Sequence, residues 1–285
     1  MTPRLATGPV SWGVDFADTP GNPPWDVVLD GARTAGYAGV ELGPLGYLPT
    51  DPGRLRNELA SRDLQLIAGF VFEPLHRPKE LPRIVVAAHR VAELVAPAGG
   101  THLIVIDQID PGRAAAAGRA ERAPAPTADE RRAVARAIRT LADVAGAAGL
   151  TAAVHPHAGT HIEFAAEIEQ AAELAPICLD TGHLAYARLD PVEWLRRLGD
   201  RVALLHLKDV EPRVLARGLS FWDAVAAGVF CPLGTGCVDL SALARALPPL
   251  AWATVEQDRR PGGDPVADLV ASRCALETAG LGVPA

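Results

Sequence analysis

Eight short apolar runs recur along this chain, and helix-like segments fill the gaps between them. The runs cover residues 8–14, 39–42, 64–71, 101–106, 151–157, 177–180, 202–206 and 251–256. They are continuous rather than alternating, which is the pattern of strands buried on both faces. The segments between and after them, 24–35, 51–61, 80–95, 128–148, 164–174, 191–198, 240–247 and 265–278, read as helices. Pro24 and Pro52 fall in the first turns of two of these, where a missing N–H costs nothing. Thr127 with Glu130 three residues on makes a capping box ahead of the fourth. Strands alternating with helices imply a parallel sheet, and eight units of each favour a closed (β/α)8 barrel. The alternative, an open doubly wound sheet, would carry a glycine-rich phosphate loop near its start, and no such loop is present. A chain of 285 residues that is 49% hydrophobic suits one barrel of roughly 250 residues, so 1–285 reads as a single domain.

Two connections break the rhythm. Residues 107–127 are low in complexity, rich in Ala, Gly, Pro and Arg, and read as a mobile excursion. Residues 210–238 follow the seventh strand and include Phe221, Trp222 and Phe230. A long, partly aromatic loop at that end of a barrel is a candidate lid.

The net charge of −7 argues against nucleic acid or an anionic membrane as the main partner. No apolar run reaches the roughly 18 residues of a membrane span, and the first residues lack the pattern of a signal peptide. Cys178, Cys231, Cys237 and Cys274 have neither zinc-type spacing nor the density of a disulfide framework. A cytoplasmic protein with free thiols is expected. Of 27 basic residues only Lys79 and Lys208 are lysine, which draws attention to Lys208.

The chemistry gathers at four strand ends: His155-Pro-His157, Asp180-Thr-Gly-His183, His206-Leu-Lys-Asp209 and Glu256-Gln-Asp258. In a parallel barrel these ends converge on one open face, where active sites lie. His155, Asp180, His206 and Glu256 together offer a nitrogen-and-oxygen ligand set. That mixture suits Mn²⁺ or Co²⁺ best, with Zn²⁺, Fe²⁺ and Mg²⁺ as alternatives. Each residue has a plainer reading. Asp180 could accept backbone hydrogen bonds in a turn, His206 could be a core histidine, and Glu256 could pair with Arg259 or Arg260. Their joint occurrence on strands five to eight favours metal. A metal there would polarise a ketone and acidify its neighbouring C–H. Glu256, Lys208, His183 and His157 are the candidate acids and bases. Trp12, Glu41, Glu163 and Gln257 are candidate substrate contacts.

Several segments then resemble a known family: Pro9-Val-Ser-Trp-Gly-Val14, Gly39-Val-Glu-Leu-Gly-Pro-Leu-Gly46, His155-Pro-His-Ala-Gly-Thr-His-Ile-Glu163, Leu179-Asp-Thr-Gly-His183, His206-Leu-Lys-Asp-Val210, Phe230-Cys-Pro-Leu-Gly-Thr-Gly236 and Val255-Glu-Gln-Asp258. They are similar to the inosose dehydratase family, within the xylose-isomerase-like TIM-barrel superfamily, and the likeness spans about residues 8 to 260. The resemblance implies a divalent metal, commonly Mn²⁺ or Co²⁺, and a small cyclitol or keto-sugar substrate. It also implies a homo-oligomer, often a dimer or tetramer. Keto-sugar epimerases of the superfamily carry Glu, Asp, His and Glu on strands five to eight. Asp180, His206 and Glu256 match the last three, and His183 matches a substrate-contacting histidine. His155 stands in place of the first Glu, which removes one of the two glutamates that epimerisation uses. Dehydration needs one base and one acid and is compatible with the change. The resemblance therefore implies a hydro-lyase acting on a cyclic polyhydroxy ketone such as 2-keto-myo-inositol. A keto-sugar or cyclitol isomerase or epimerase, or a lyase eliminating from a 3-keto glycoside, is the alternative.

Overall fold

The computed structural model describes residues 2–258 and 262–281. Eight parallel strands close into a barrel: β1 (Arg4–Thr7), β2 (Gly39–Glu41), β3 (Gln65–Glu73), β4 (His102–Asp107), β5 (Thr151–Val154), β6 (Ile177–Asp180), β7 (Val202–Leu207) and β10 (Trp252–Val255). Two short strands, β8 (Asp209–Val210) and β9 (Phe230–Cys231), pair antiparallel outside the barrel. The predicted class holds.

Side chains segregate as a two-sided buried strand requires. Inside the barrel, Ala6, Ile67, Ala68, Ile104, Ala153 and Leu204 pack together, filling it rather than leaving a pore. The opposite faces pack against the outer helices through Leu5, Leu66, Leu103, Val105, Leu179 and Leu205. The helices begin where caps permit. Asp51, Asp190 and Asp264 each accept a backbone N–H ahead of a proline in the first turn, and Thr127 and Glu130 form the expected capping box.

The first strand departs from expectation. It lies at Arg4–Thr7, and Pro9–Trp12 is instead a single 3₁₀ turn closed by Gly13 at φ +77°. Pro9 has no N–H to give a ladder, so the apolar run continues past the end of the strand. Residues 107–127 also hold more structure than their composition suggests. Helix Pro111–Ala116 is capped by Asp110. The buried Arg113 donates to Glu167 and to the carbonyl of Pro124.

Above the barrel mouth, Ala114, Tyr186, Val210, Phe221 and Phe230 form a satellite apolar cluster. It ties the 107–127 segment and the 210–238 segment together. Asp209 anchors the second of these: its carboxylate accepts the backbone N–H groups of Val210, Gly234, Gly236 and Val238. Among the described residues, no helix is long and apolar enough to cross a membrane.

Candidate active site

Strand register sets the site. His206 on β7 is level with Asp180 on β6 and with Thr254 on β10. Register partners in a parallel sheet point the same way, so all three side chains enter the mouth together. His155 follows the end of β5, and Glu256 the end of β10.

Asp180 divides its carboxylate between two tasks. Oδ1 accepts the N–H of His183 at 2.9 Å and caps the short helix Thr181–Tyr186. The turn anticipated for this segment is that helix cap. Oδ2 is buried and has no hydrogen-bond partner. It lies 3.9 Å from His155 Nε2, 3.9 Å from His206 Nδ1 and 3.5 Å from Lys208 Nζ. His206 Nδ1 is 3.2 Å from Glu256 Oε2. The other ring nitrogen, Nε2, is 2.8 Å from Glu41 Oε1, which also accepts the hydroxyl of Thr254 at 2.7 Å.

These residues fit a divalent ion. Bonds of about 2.1 Å place neighbouring ligand atoms roughly 3–4 Å apart, the spacing seen here. A buried carboxylate oxygen without a partner is what an ion would satisfy. The carboxylate on the far nitrogen of His206 is the partner that metal-bound histidines ordinarily carry. Potential ligand groups overlap across the site: His155 with Asp180 and His183, and Glu41 with His206 and Glu256.

Electrostatics separate the titratable groups. Burial pushes His155 and His183 well below their usual range, and neighbouring positive groups add to it. His157 falls to about 4, through burial and then the Lys208 charge. Burial opposes the ammonium of Lys208, yet Asp180, Asp258 and Glu256 outweigh it and hold the amine charged. Burial likewise opposes ionisation of Glu256, but His206 and Lys208 keep it ionised. The neutral imidazoles of His155, His157 and His183 therefore face one ammonium, whose Nζ lies 3.5 Å from Glu256 Oε2 and 2.9 Å from Asp258 Oδ1. Gly182 makes room for the lysine stem: a Cβ there would lie 2.6 Å from Lys208 Cβ.

His155, His157, His183, His206, Lys208, Glu256 and Glu41 all line one cavity. Three expected contacts lie off it. Trp12 packs its ring against Gly31. Gln257 shares a separate recess with Trp12 and donates to Asp268 at 3.3 Å. Successive residues at a strand end alternate sides, so Glu256 and Asp258 face the cavity and Gln257 turns away. Glu163 is wholly buried elsewhere, accepting the N–H groups of Gly118 and Gly159. Asp258 joins the site beyond the expected residues, and its spacing of two from Glu256 is the sequence signal for it. The proposed pairing of Glu256 with Arg259 or Arg260 lies outside the described residues.

A family profile described as "Xylose isomerase-like TIM barrel" matches residues 29–273. The chain belongs to the xylose isomerase-like TIM barrel family. Among curated relatives of this family member, an inosose dehydratase of Geobacillus kaustophilus is 30% identical over 278 residues, covering 90% of this chain and 88% of the relative. The rhizopine catabolism protein MocC of Rhizobium meliloti is 28% identical, covering 92% and 83%. Among solved structures, the IolI protein with a bound zinc atom superposes with a TM-score of 0.72 at 13% identity, covering 97% of both chains. An L-ribulose 3-epimerase superposes with a TM-score of 0.70 at 19% identity, covering 98% and 96%. At those identities the structures speak for the fold.

Proposed function

We propose that this protein is a divalent-metal-dependent hydro-lyase that removes water from a cyclic polyhydroxy ketone such as 2-keto-myo-inositol. The observation that carries the reading is the convergence of Asp180 Oδ2 and His206 Nδ1, both buried without a hydrogen-bond partner, beside Glu256 and a charged Lys208. The names of the curated relatives point to the same chemistry.

His155, Asp180, His206 and Glu256 would hold the ion, with Mn²⁺ or Co²⁺ preferred because each accepts further ligands beyond four protein atoms. When bound, it supplies Lewis-acid polarisation of the ketone, which acidifies the adjacent C–H. His157 is the base. Its Nδ1 lies 2.8 Å from the carbonyl oxygen of Ala158; a carbonyl can only accept, so the proton sits on Nδ1 and Nε2 keeps its lone pair. Nε2 takes the α-proton, and the electrons of that C–H bond form the new C=C bond. The β C–O bond breaks, and the departing oxygen takes a proton from Lys208 Nζ to leave as water. His183, neutral and adjacent, is a poorer proton donor than the lysine.

The reading is tested with 2-keto-myo-inositol and Mn²⁺, following the product by NMR and mass. Loss of 18 mass units, about one water, supports it. A mass-neutral product places the enzyme among isomerases instead, and full activity after chelation overturns the metal mechanism.

A further inference from the structure

The cavity is polar on one side only. Its histidines, Lys208 and carboxylates come from the ends of β2, β5, β6, β7 and β10 and, with Asp15, from the segment after β1. The β3–β4 side contributes Phe70, Phe72, Ile104 and Ile106, and no polar side chain. A bare cyclitol carries hydroxyls all around its ring. Those facing the β3–β4 wall would leave water without gaining a partner, which weakens binding.

Two further observations point the same way. Among the described residues, four large hydrophobic side chains are exposed, and two of them, Phe16 at 63% and Trp222 at 55%, belong to this one cavity. Phe16 follows β1, and Trp222 lies on the short helix Phe221–Ala226 within the 210–238 segment. Exposed aromatics continuous with a catalytic cavity extend its apolar wall outward. The enclosed part of the cavity measures about 140 Å³, the room of about one six-membered ring, so a substituent on that ring extends into the open mouth beside Phe16 and Trp222.

We infer that the substrate is a polyhydroxy keto ring bearing an apolar, aromatic substituent. The keto ring sits on the His–Lys–carboxylate side. The substituent lies along the β3–β4 wall and reaches the faces of Phe16 and Trp222. This rests on the reading proposed above and narrows its substrate class.

The test separates the two claims. Calorimetry with the Mn²⁺-loaded protein measures affinity for 2-keto-myo-inositol and for its mono-O-benzyl ethers. At least one ether is expected to bind 10-fold or more tighter than the parent ketone, and Trp222→Ala is expected to collapse that ratio towards one. Equal or weaker binding of every ether overturns the inference, as does a ratio indifferent to Trp222→Ala. The same variant run on a sizing column covers the remaining occupant. If Trp222→Ala converts a ligand-free oligomer to monomers, the aromatics serve a second copy of the chain and the inference falls. Release of water from either compound is read separately and bears on the hydro-lyase reading alone.

Discussion

The Nε2 of His206 lies 2.8 Å from Oε1 of Glu41, and the other nitrogen of the same ring faces Glu256. With an ion bound at Nδ1, the remaining ring proton would sit on Nε2, where Glu41 accepts it. Glu41→Gln is expected to lower Mn²⁺ or Co²⁺ affinity by about 10–100-fold, the usual cost of losing a carboxylate behind a metal-bound histidine. Chelator competition measures it. Unaltered metal affinity would remove Glu41 from that role.

Gly182 is a test of how finely Lys208 must be placed. Alanine there would put a methyl carbon 2.6 Å from Lys208 Cβ and 2.7 Å from its Cγ, so the stem must move. A displacement near 1 Å in a reacting group costs on the order of 100-fold in rate. Gly182→Ala is therefore expected to lower kcat by about that factor while metal affinity stays close to the parent's. Steady-state kinetics beside a metal titration distinguish this from a general loss of the site.

Glu163 gives the fold a pH dependence of its own. Burial raises its pKa from 4.5 to about 7, against the pull of Gly118, Gly159 and Arg113. The folded state thus binds this proton more tightly than the unfolded chain does. The contribution is fully present below pH 4.5 and is lost as pH rises through about 7. The change is on the order of 3 kcal/mol. Urea unfolding at a series of pH values should show a downward slope across that window in the parent protein. Glu163→Gln should remove the slope, and an unchanged slope would assign it elsewhere.

Asp209 holds the 210–238 segment by four backbone N–H groups. Asparagine offers one acceptor oxygen where the aspartate offers two. Asp209→Asn is expected to destabilise the fold by about 3 kcal/mol, since hydrogen bonds to a charged acceptor are the stronger kind. Amide exchange should accelerate first at Gly234, Gly236 and Val238. Uniform exchange across the barrel would contradict a local anchor.

The barrel was legible because its strands are buried on both faces and its helices carry explicit start signals. Pro191–Leu198 and Pro265–Thr278 begin where Asp-Pro pairs put them. The first strand is less legible because the apolar run 8–14 outlasts the ladder; Pro9 ends hydrogen bonding, while Leu5, Ala6 and Thr7 pair with β10. Segment 107–127 holds a helix that its composition hides. Its alanines looked featureless, yet Ala114 and Ala117 are small enough to pack beneath the aromatic cluster. Four strand-end clusters located the site, but not which side each residue faces. The alternation that turns Gln257 away from Glu256 depends on where the strand stops. The one-sided distribution of polar groups was invisible for the same reason, since Phe70, Phe72, Ile104 and Ile106 read as ordinary strand residues until the barrel closes.

Asp180 spends one oxygen on a helix and leaves the other free. Glutamate would serve equally well as a ligand, and lengthening a side chain by one methylene is among the smallest steps open to a drifting sequence. Yet aspartate caps a helix well, and glutamate is not among the residues preferred at that position. The shorter acid is thus fixed by a demand unrelated to the chemistry it serves. Substitution here should be selected against even in a descendant that has abandoned catalysis but still needs to fold.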